Sequence, residues 1–286
     1  MRLLITGEHS FIGNALFDTL ANDHHVERWS FRGDAWKTLS FVGVESIMHL
    51  AGKAHVGYKD KDSESYYKVN RDLTLDIAKK AKEEGVKQFV FFSSMIVYGE
   101  SYKKPQPISK DSKPKPTNAY AKSKLQAEEG LLMLEDESFR VVILRLPMVY
   151  GRYHKGNYSK LSNLAKKTPF FPKLNNQRSM LYLEDLVVLV KGIIEEQFEG
   201  YYYPQNQRIV STSDMVKAIR QAHGKRTLLM PVIHHLLSFL MRYSTSMKKI
   251  VGNFYYDPTL SQCEIKYQNT SFEVSIAKTE GVAYHE

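Results

Sequence analysis

The chain of 286 residues carries 40 Lys and Arg against 31 Asp and Glu, a formal charge of +9, and 43% of its residues are hydrophobic, with 14 Phe and 18 Tyr. That supply of apolar side chains supports a sizeable core, so a wholly disordered, collagen-like or coiled-coil chain is excluded, and the length suits one large or two modest domains. One cysteine, Cys263, excludes an internal disulfide framework and points to a reducing compartment. The apolar start is too short for a signal peptide. The greasiest later stretch, Leu228 to Met241, is broken by Pro231, His234 and His235 and falls short of the roughly 20 apolar residues of a membrane span. The expectation is a cytoplasmic protein with no stable membrane insertion. Its lysines are spread along the chain, which reads as a solvated surface rather than a nucleic-acid footprint.

In chain order, Arg2 to Ile5 is a short apolar run closed by Thr6-Gly7, and Phe11 to Leu20 follows with helical spacing. His25 to Phe31 reads as a second strand and Ser46 to Leu50 as a third, closed by Ala51-Gly52. Tyr66 to Glu84 is helical and stops at Gly85. Gln88 to Phe92 is a continuous apolar strand ending in Ser93-Ser94. A Pro- and Lys-rich loop then leads to a helix from about Asn118 to Leu134, and Arg140 to Leu144 is a further strand. Unbroken apolar strands alternating with helices imply a parallel sheet covered on both faces and wound in both directions. After Gly151 the pattern changes to short helices and aromatic-rich loops, with Ser179 to Glu195 reading as a strand-helix return to the sheet.

Gly7-Glu8-His9-Ser10-Phe11-Ile12-Gly13 sits at the first strand-to-helix turn, where Gly7 can take the tight turn, Gly13 allows close packing, and the helix N-terminus offers N–H groups to a pyrophosphate. At the end of the second strand, Ser30 stands where an acidic residue would bind a ribose 2′-OH, and Arg32 follows; NADP(H) is favoured, with NAD(H) as the alternative should Asp34 do the acidic job. Tyr120 and Lys124 are four apart on one helix face, a spacing at which the ammonium is expected to draw the phenol pKa from about 10 toward neutrality. Ser94, at the C-terminal end of a parallel strand, supplies a hydroxyl for the same substrate oxygen.

These segments, with His49-Leu50-Ala51-Gly52, Asn70, Ser93 to Gly99, Leu144-Arg145-Leu146-Pro147-Met148-Val149-Tyr150-Gly151 and Arg178 to Leu186, follow the order and spacing of extended short-chain dehydrogenase/reductases. The chain resembles their NAD-dependent epimerase/dehydratase branch over nearly its full length, most specifically through residue 190. The resemblance implies a Rossmann-like doubly wound α/β domain (1–151 and about 179–196) with a smaller mixed α/β substrate-binding domain (152–178 and about 197–286). It implies Ser94, Tyr120 and Lys124 as catalytic residues. Gly7, Ser10, Phe11, Ile12, Gly13, Ser30, Arg32, Leu50, Ala51, Gly52, Asn70 and Pro147 would line the dinucleotide beside Tyr120 and Lys124. Asn157 and Arg178 would join Ser94 and Tyr120 on a UDP-sugar, with Arg178 on its diphosphate. Phe170 and Phe171 fall in the family's uracil-binding stretch. Two positions depart from the family: Ser10 replaces a glycine, and Met148 an asparagine.

Dehydratases of this family place an acid/base pair after the serine, and here Met95 and Ile96 stand there. The short chain, the second strand and the Asn175 to Ser179 segment favour a reductase of UDP-4-keto-6-deoxy-N-acetylhexosamines over a 4-epimerase with retained NAD. A dinucleotide sensor without catalysis would not need the Ser94, Tyr120, Lys124 set. A membrane-surface role would use a basic amphipathic segment at 225–249. The ten histidines show no metal-ligand spacing, so no metal is expected. Family members dimerise through two helices per subunit, and the helices starting near Tyr66 and Asn118 would serve for a homodimer.

Overall fold

The computed structural model describes residues 1–7, 9–53, 63–99, 106–154, 156–231 and 251–284. Six strands form one parallel sheet: β1 (Arg2–Thr6), β2 (His25–Trp29), β3 (Ser46–His49), β4 (Gln88–Ser94), β5 (Arg140–Leu146) and β9 (Gly200–Tyr202), in the order β2-β1-β3-β4-β5-β9. The order reverses between β1 and β3, which opens a crevice at their C-terminal ends. Each central strand is buried along its length because helices cover both faces. These helices are α1 (Phe11–Leu20), α2 (Ser63–Tyr67), α3 (Leu73–Glu83), α4 (Ala119–Leu132) and α6 (Leu183–Glu195). An aromatic cluster of Phe31, Trp36, Phe41, Phe89, Phe91 and Phe139 fills one side.

The helix read from Tyr66 to Glu84 is three pieces. Lys68–Asp72 form a π turn between α2 and α3, and Asn70 is fully buried inside it. Such single-turn π bulges recur at functional sites because they re-aim one side chain without ending the helix.

The chain divides into two compact units: Met1–Gly99, Ser112–Leu146 and Leu186–Pro204, and then Glu100–Asp111, Pro147–Asp185 and Gln205–Glu286. The sequence reading draws the boundaries at 151, 178 and 196 instead. The difference comes from β6 (Met148–Tyr150) and β8 (Met180–Tyr182), which pair with each other and not with the six-stranded sheet. The strand that does return to that sheet is β9, a three-residue element on β5 that the apolar pattern does not reveal. The second unit adds α5 (Asn157–Lys167), β7 (Phe170–Pro172), α7 (Thr212–Ala222), β10 (Leu228–Met230) and a C-terminal helix (Phe272–Glu280). Its core is Tyr150, Tyr158, Phe171, Met180, Tyr182, Met215, Ile219, Phe272 and Ile276. The basic segment at 225–249 lies outside the described residues from 232 onward.

Candidate active site

Gly7 follows β1 with a φ of +82°, and a Cβ there would lie 3.1 Å from the Ala51 nitrogen and 3.2 Å from the Leu50 carbonyl carbon. Only glycine holds that conformation and that approach cheaply. Ser10 caps α1, its hydroxyl accepting the Gly13 N–H at 2.9 Å, and no acidic residue stands in the first turn. Gly13 is buried, and a Cβ on it would meet the Ile5 side chain at 3.3 Å. The backbone of Phe11 and Ile12 sits at the positive end of α1, beside a turn too tight for a side chain. These residues fit the diphosphate of a dinucleotide. The serine departure has a stated effect: Ser10 occupies one N–H that glycine would leave to the phosphates.

Ser30 and Arg32 are exposed just past β2. Asp34, also exposed, pairs with Lys37 at 2.9 Å, and that ammonium holds its carboxyl below the usual range. The carboxylate weighed as a 2′-OH ligand is thus already engaged with a cation.

The end of β4 grips one stripe of α4. Tyr120, Lys124 and Glu128 are spaced by one helical turn each. The Ser94 hydroxyl shares a hydrogen bond with the Tyr120 phenol. Lys124 Nζ donates to the Phe92 carbonyl at 2.9 Å and lies 4.4 Å from the centre of the Phe91 ring. The Ser93 hydroxyl donates to Glu128. Small residues Ala121, Ser123 and Ala127 on the buried face let the helix come this close. Glu128 is fully buried and receives Arg145 through Nη2 at 2.6 Å and Nε at 3.1 Å, and Arg145 Nη1 reaches the Tyr98 hydroxyl at 2.7 Å. Glu128 carries no sequence signal that separates it from an ordinary surface charge, and Arg145 stands out only as part of the Leu144 to Gly151 segment.

Burial pushes Lys124 down to about 8, against a smaller upward pull from Glu128. Burial also pushes Tyr120 up to about 12, offset in part by Ser94. The sequence reading expected the opposite for Tyr120, a phenol drawn toward neutrality by Lys124. The correction has a physical cause: burial of the phenol, with a further upward push from Tyr66, outweighs the hydrogen bond from Ser94. The protein alone therefore presents a protonated tyrosine.

Gly52 lies against two polar groups, since a Cβ on it would stand 3.2 Å from Asn70 Oδ1 and 3.6 Å from Lys124 Nζ. Asn70 Oδ1 accepts the Lys53 N–H at 2.7 Å, and its Nδ2 donates to the Lys53 carbonyl and to Ser123 Oγ, both at 3.2 Å. Leu50, Ala51, Gly52, Asn70 and Lys124 thus gather beside the Gly7 turn.

The remaining residues belong to the second unit. Arg178 forms backbone bridges with Val210 and Phe254, and its Nη1 donates to the Gly252 carbonyl at 3.2 Å. Asn157 is the exposed first residue of α5, and Pro147 is buried ahead of β6. Phe170 is exposed and Phe171 is part of the unit's core, on alternate faces of β7. Among the described residues, no group of three or more His, Cys, Asp or Glu could hold a metal ion, and no helix is long and apolar enough to cross a membrane.

A parallel sheet reversing at a glycine turn, with a serine at the end of β4 and a Tyr-Lys pair on α4, defines a nicotinamide-dependent enzyme of the short-chain dehydrogenase/reductase type. Residues 3–203 match the model of the NAD dependent epimerase/dehydratase family, and the chain belongs to that family. It is 32% identical over 285 residues to UDP-glucose 4-epimerase of Vibrio cholerae, covering 89% of this chain and 87% of that one. MoeE5 in complex with UDP-glucose and NAD superposes with a TM-score of 0.75 at 20% identity, covering 98% of each chain. A dTDP-4-dehydrorhamnose reductase from Clostridium acetobutylicum gives a TM-score of 0.76 at 18% identity, covering 98% of this chain and 99% of that one.

Proposed function

We propose that this enzyme is an NADPH-dependent reductase of a nucleotide sugar, acting on the 4-keto group of a UDP-2-acetamido-2,6-dideoxy-4-hexulose. The observation that carries the reading is the Ser94–Tyr120 pair: the serine hydroxyl is hydrogen-bonded to a buried, protonated phenol, an acid placed to give its proton to a keto oxygen. The end of β2 supports NADPH, because Asp34 is paired with Lys37 while Arg32 stands exposed near the place of a 2′-phosphate. Met95 and Ile96, both buried after Ser94, leave no acid/base pair for dehydration.

A nicotinamide dinucleotide held at the Gly7 turn and the Ala51-Gly52 backbone would supply the hydride for the keto carbon. Tyr120 gives its phenolic proton to the keto oxygen, and Ser94 orients that oxygen by hydrogen bonding. Lys124 is mostly protonated at neutral pH, and its charge favours the phenolate until solvent returns the proton. The family resemblance assigns the substrate diphosphate to Arg178, whose planar guanidinium suits it, and to Asn157.

A 4-epimerase that retains NAD is the second reading, favoured by the full-length likeness to the Vibrio cholerae epimerase. The two separate in one experiment. Incubation with NADPH and UDP-4-keto-6-deoxy-N-acetylglucosamine, made in situ by a dehydratase, should consume NADPH one for one and yield a deoxysugar nucleotide. Unchanged NADPH, with interconversion of UDP-N-acetylglucosamine and its C4 epimer in a parallel tube, would assign the epimerase instead. Arg32→Ala should weaken NADPH binding about tenfold and leave NADH within twofold, in line with the loss of one charged hydrogen bond.

A further inference from the structure

The buried polar groups behind the Gly7 turn form one directed chain. The Ala51 N–H donates to Thr6 Oγ1 at 3.0 Å, and Thr6 Oγ1 lies 3.0 Å from His49 Nδ1. His49 Nε2 lies 3.0 Å from Thr74 Oγ1, which donates to the Asn70 carbonyl at 3.0 Å. Thr74 spends its only hydrogen on Asn70, so it can only accept from the imidazole. Nε2 therefore carries the ring hydrogen, and Nδ1 accepts the hydrogen of Thr6. Each bond runs the same way, from Ala51 to Asn70. Thr6, His49, Asn70 and Thr74 are all fully buried, and the ring is stacked on Phe89 and Phe91 at 5.4 and 6.1 Å between centroids.

We propose that His49 is a positioning residue for the dinucleotide, its imidazole linking the Thr6-Gly7 turn, the Ala51-Gly52 backbone and the Asn70 π turn into one preset cradle. The three segments come from separate stretches of the chain, and each supplies a wall of the site. An imidazole suits the task because it offers a donor and an acceptor on opposite edges of a rigid ring and carries no charge in this form. Its pKa is pushed down to about 3 by burial and by Lys124, so the chain keeps its direction across physiological pH. From Asn70 the bonding continues to Ser123 and on to the Tyr120 carbonyl at 2.9 Å, which ties the cradle to the helix of the catalytic tyrosine. A cradle set before binding spares the ordering cost that a loose one would meet on association.

The proposal rests on the dinucleotide-binding part of the functional reading and not on the choice of reductase. Two substitutions at one place test it. Thr74→Val keeps the shape and removes the hydroxyl; Thr74→Ser keeps the hydroxyl and removes a methyl group. Dissociation constants for NADPH and NADH are measured by fluorescence on the full chain, with melting temperatures alongside. The relay predicts a roughly tenfold loss of affinity for Thr74→Val and less than twofold for Thr74→Ser. A packing role alone predicts the reverse order, with Thr74→Val the milder change, and would overturn the proposal. So would unchanged affinities with only the melting temperature lowered. Nitrogen NMR of the parent should show His49 as the Nε2–H tautomer, and an Nδ1–H signal would overturn the direction of the chain. Should the parent bind neither dinucleotide, the functional reading fails first and takes the proposal with it.

Discussion

Each unit of the molecule buries a cluster of ionisable groups, and the two clusters are settled in opposite ways. Around the Gly7 turn, burial decides: His49 is driven down to about 3, Lys124 down to about 8 and Tyr120 up to about 12, each toward its neutral form. In the C-terminal unit, the Glu280 side chain is also shielded from solvent, yet its pKa is lowered. Its carboxylate accepts from Tyr158 at 2.8 Å, Ser162 at 3.0 Å, Lys166 at 3.1 Å and His223 at 2.8 Å, a count of donors that outweighs desolvation. The first cluster keeps His49 and Tyr120 neutral and brings Lys124 close to its titration point. The second keeps a charge and uses it to fasten the C-terminal helix to α5 and α7. What keeps Glu280 charged, where His49, Tyr120 and Lys124 shift toward their neutral forms, is the number of donors on its carboxylate.

The largest break in this comparison comes from the reactive side. Tyr120→Phe should lower turnover by about a thousandfold while dinucleotide affinity stays within twofold, measured by single-turnover kinetics and fluorescence titration. Retained turnover would show that some other group moves the proton. On the structural side, Glu280→Ala should cost about 3 kcal/mol of stability, because it strands Lys166 and His223 without their anion. Chemical denaturation measures that loss, and dinucleotide affinity should not follow it.

pH separates the two clusters further. His49 has a folded pKa of about 3 against an ordinary 6.5, so the unfolded chain takes up the proton first as pH falls. Stability should therefore decline below pH 6.5 by about 1.4 kcal/mol per pH unit from this residue, and continue to decline until its folded value. Glu280, with a folded pKa below 4.5, contributes stability that is lost only as pH drops through that lower range. Denaturation curves at a series of pH values should show the His49 decline flatten in His49→Gln while the more acidic Glu280 decline persists. The smallest effect is at the cap of α1: Ser10→Gly should cost only a few tenths of a kcal/mol in stability. It also releases the Gly13 N–H for a phosphate, so dinucleotide affinity should rise by no more than about threefold.

Much of the site was legible before any fold was seen. Gly7, Ser94, Tyr120 and Lys124 announce themselves by spacing and by their place at strand and helix ends, because the parallel sheet brings every strand's C-terminal edge to one side. Thr74, Ser123 and Glu128 did not. Each looks like an ordinary helix residue, and its partner is a strand or helix away, at His49, Asn70 and Ser93 respectively. The π turn was also hidden, since its residues keep the helical apolar period on either side. β9 was missed for a different reason: three residues give too little alternation to read, and pairing with β5 makes it a strand.

Local order and chemistry on this chain follow from the amino acids alone. Strands end in glycine and serine, helices begin at capping residues, and the Tyr-Lys stripe is fixed by helix geometry, because these depend on neighbours within a few positions. The charge states of the reactive groups were settled only by tertiary structure. A spacing of four residues promised a phenol pulled down by its lysine, and packing instead left the phenol high and the lysine low. Desolvation depends on everything that surrounds a group, and those surroundings come from distant parts of the chain.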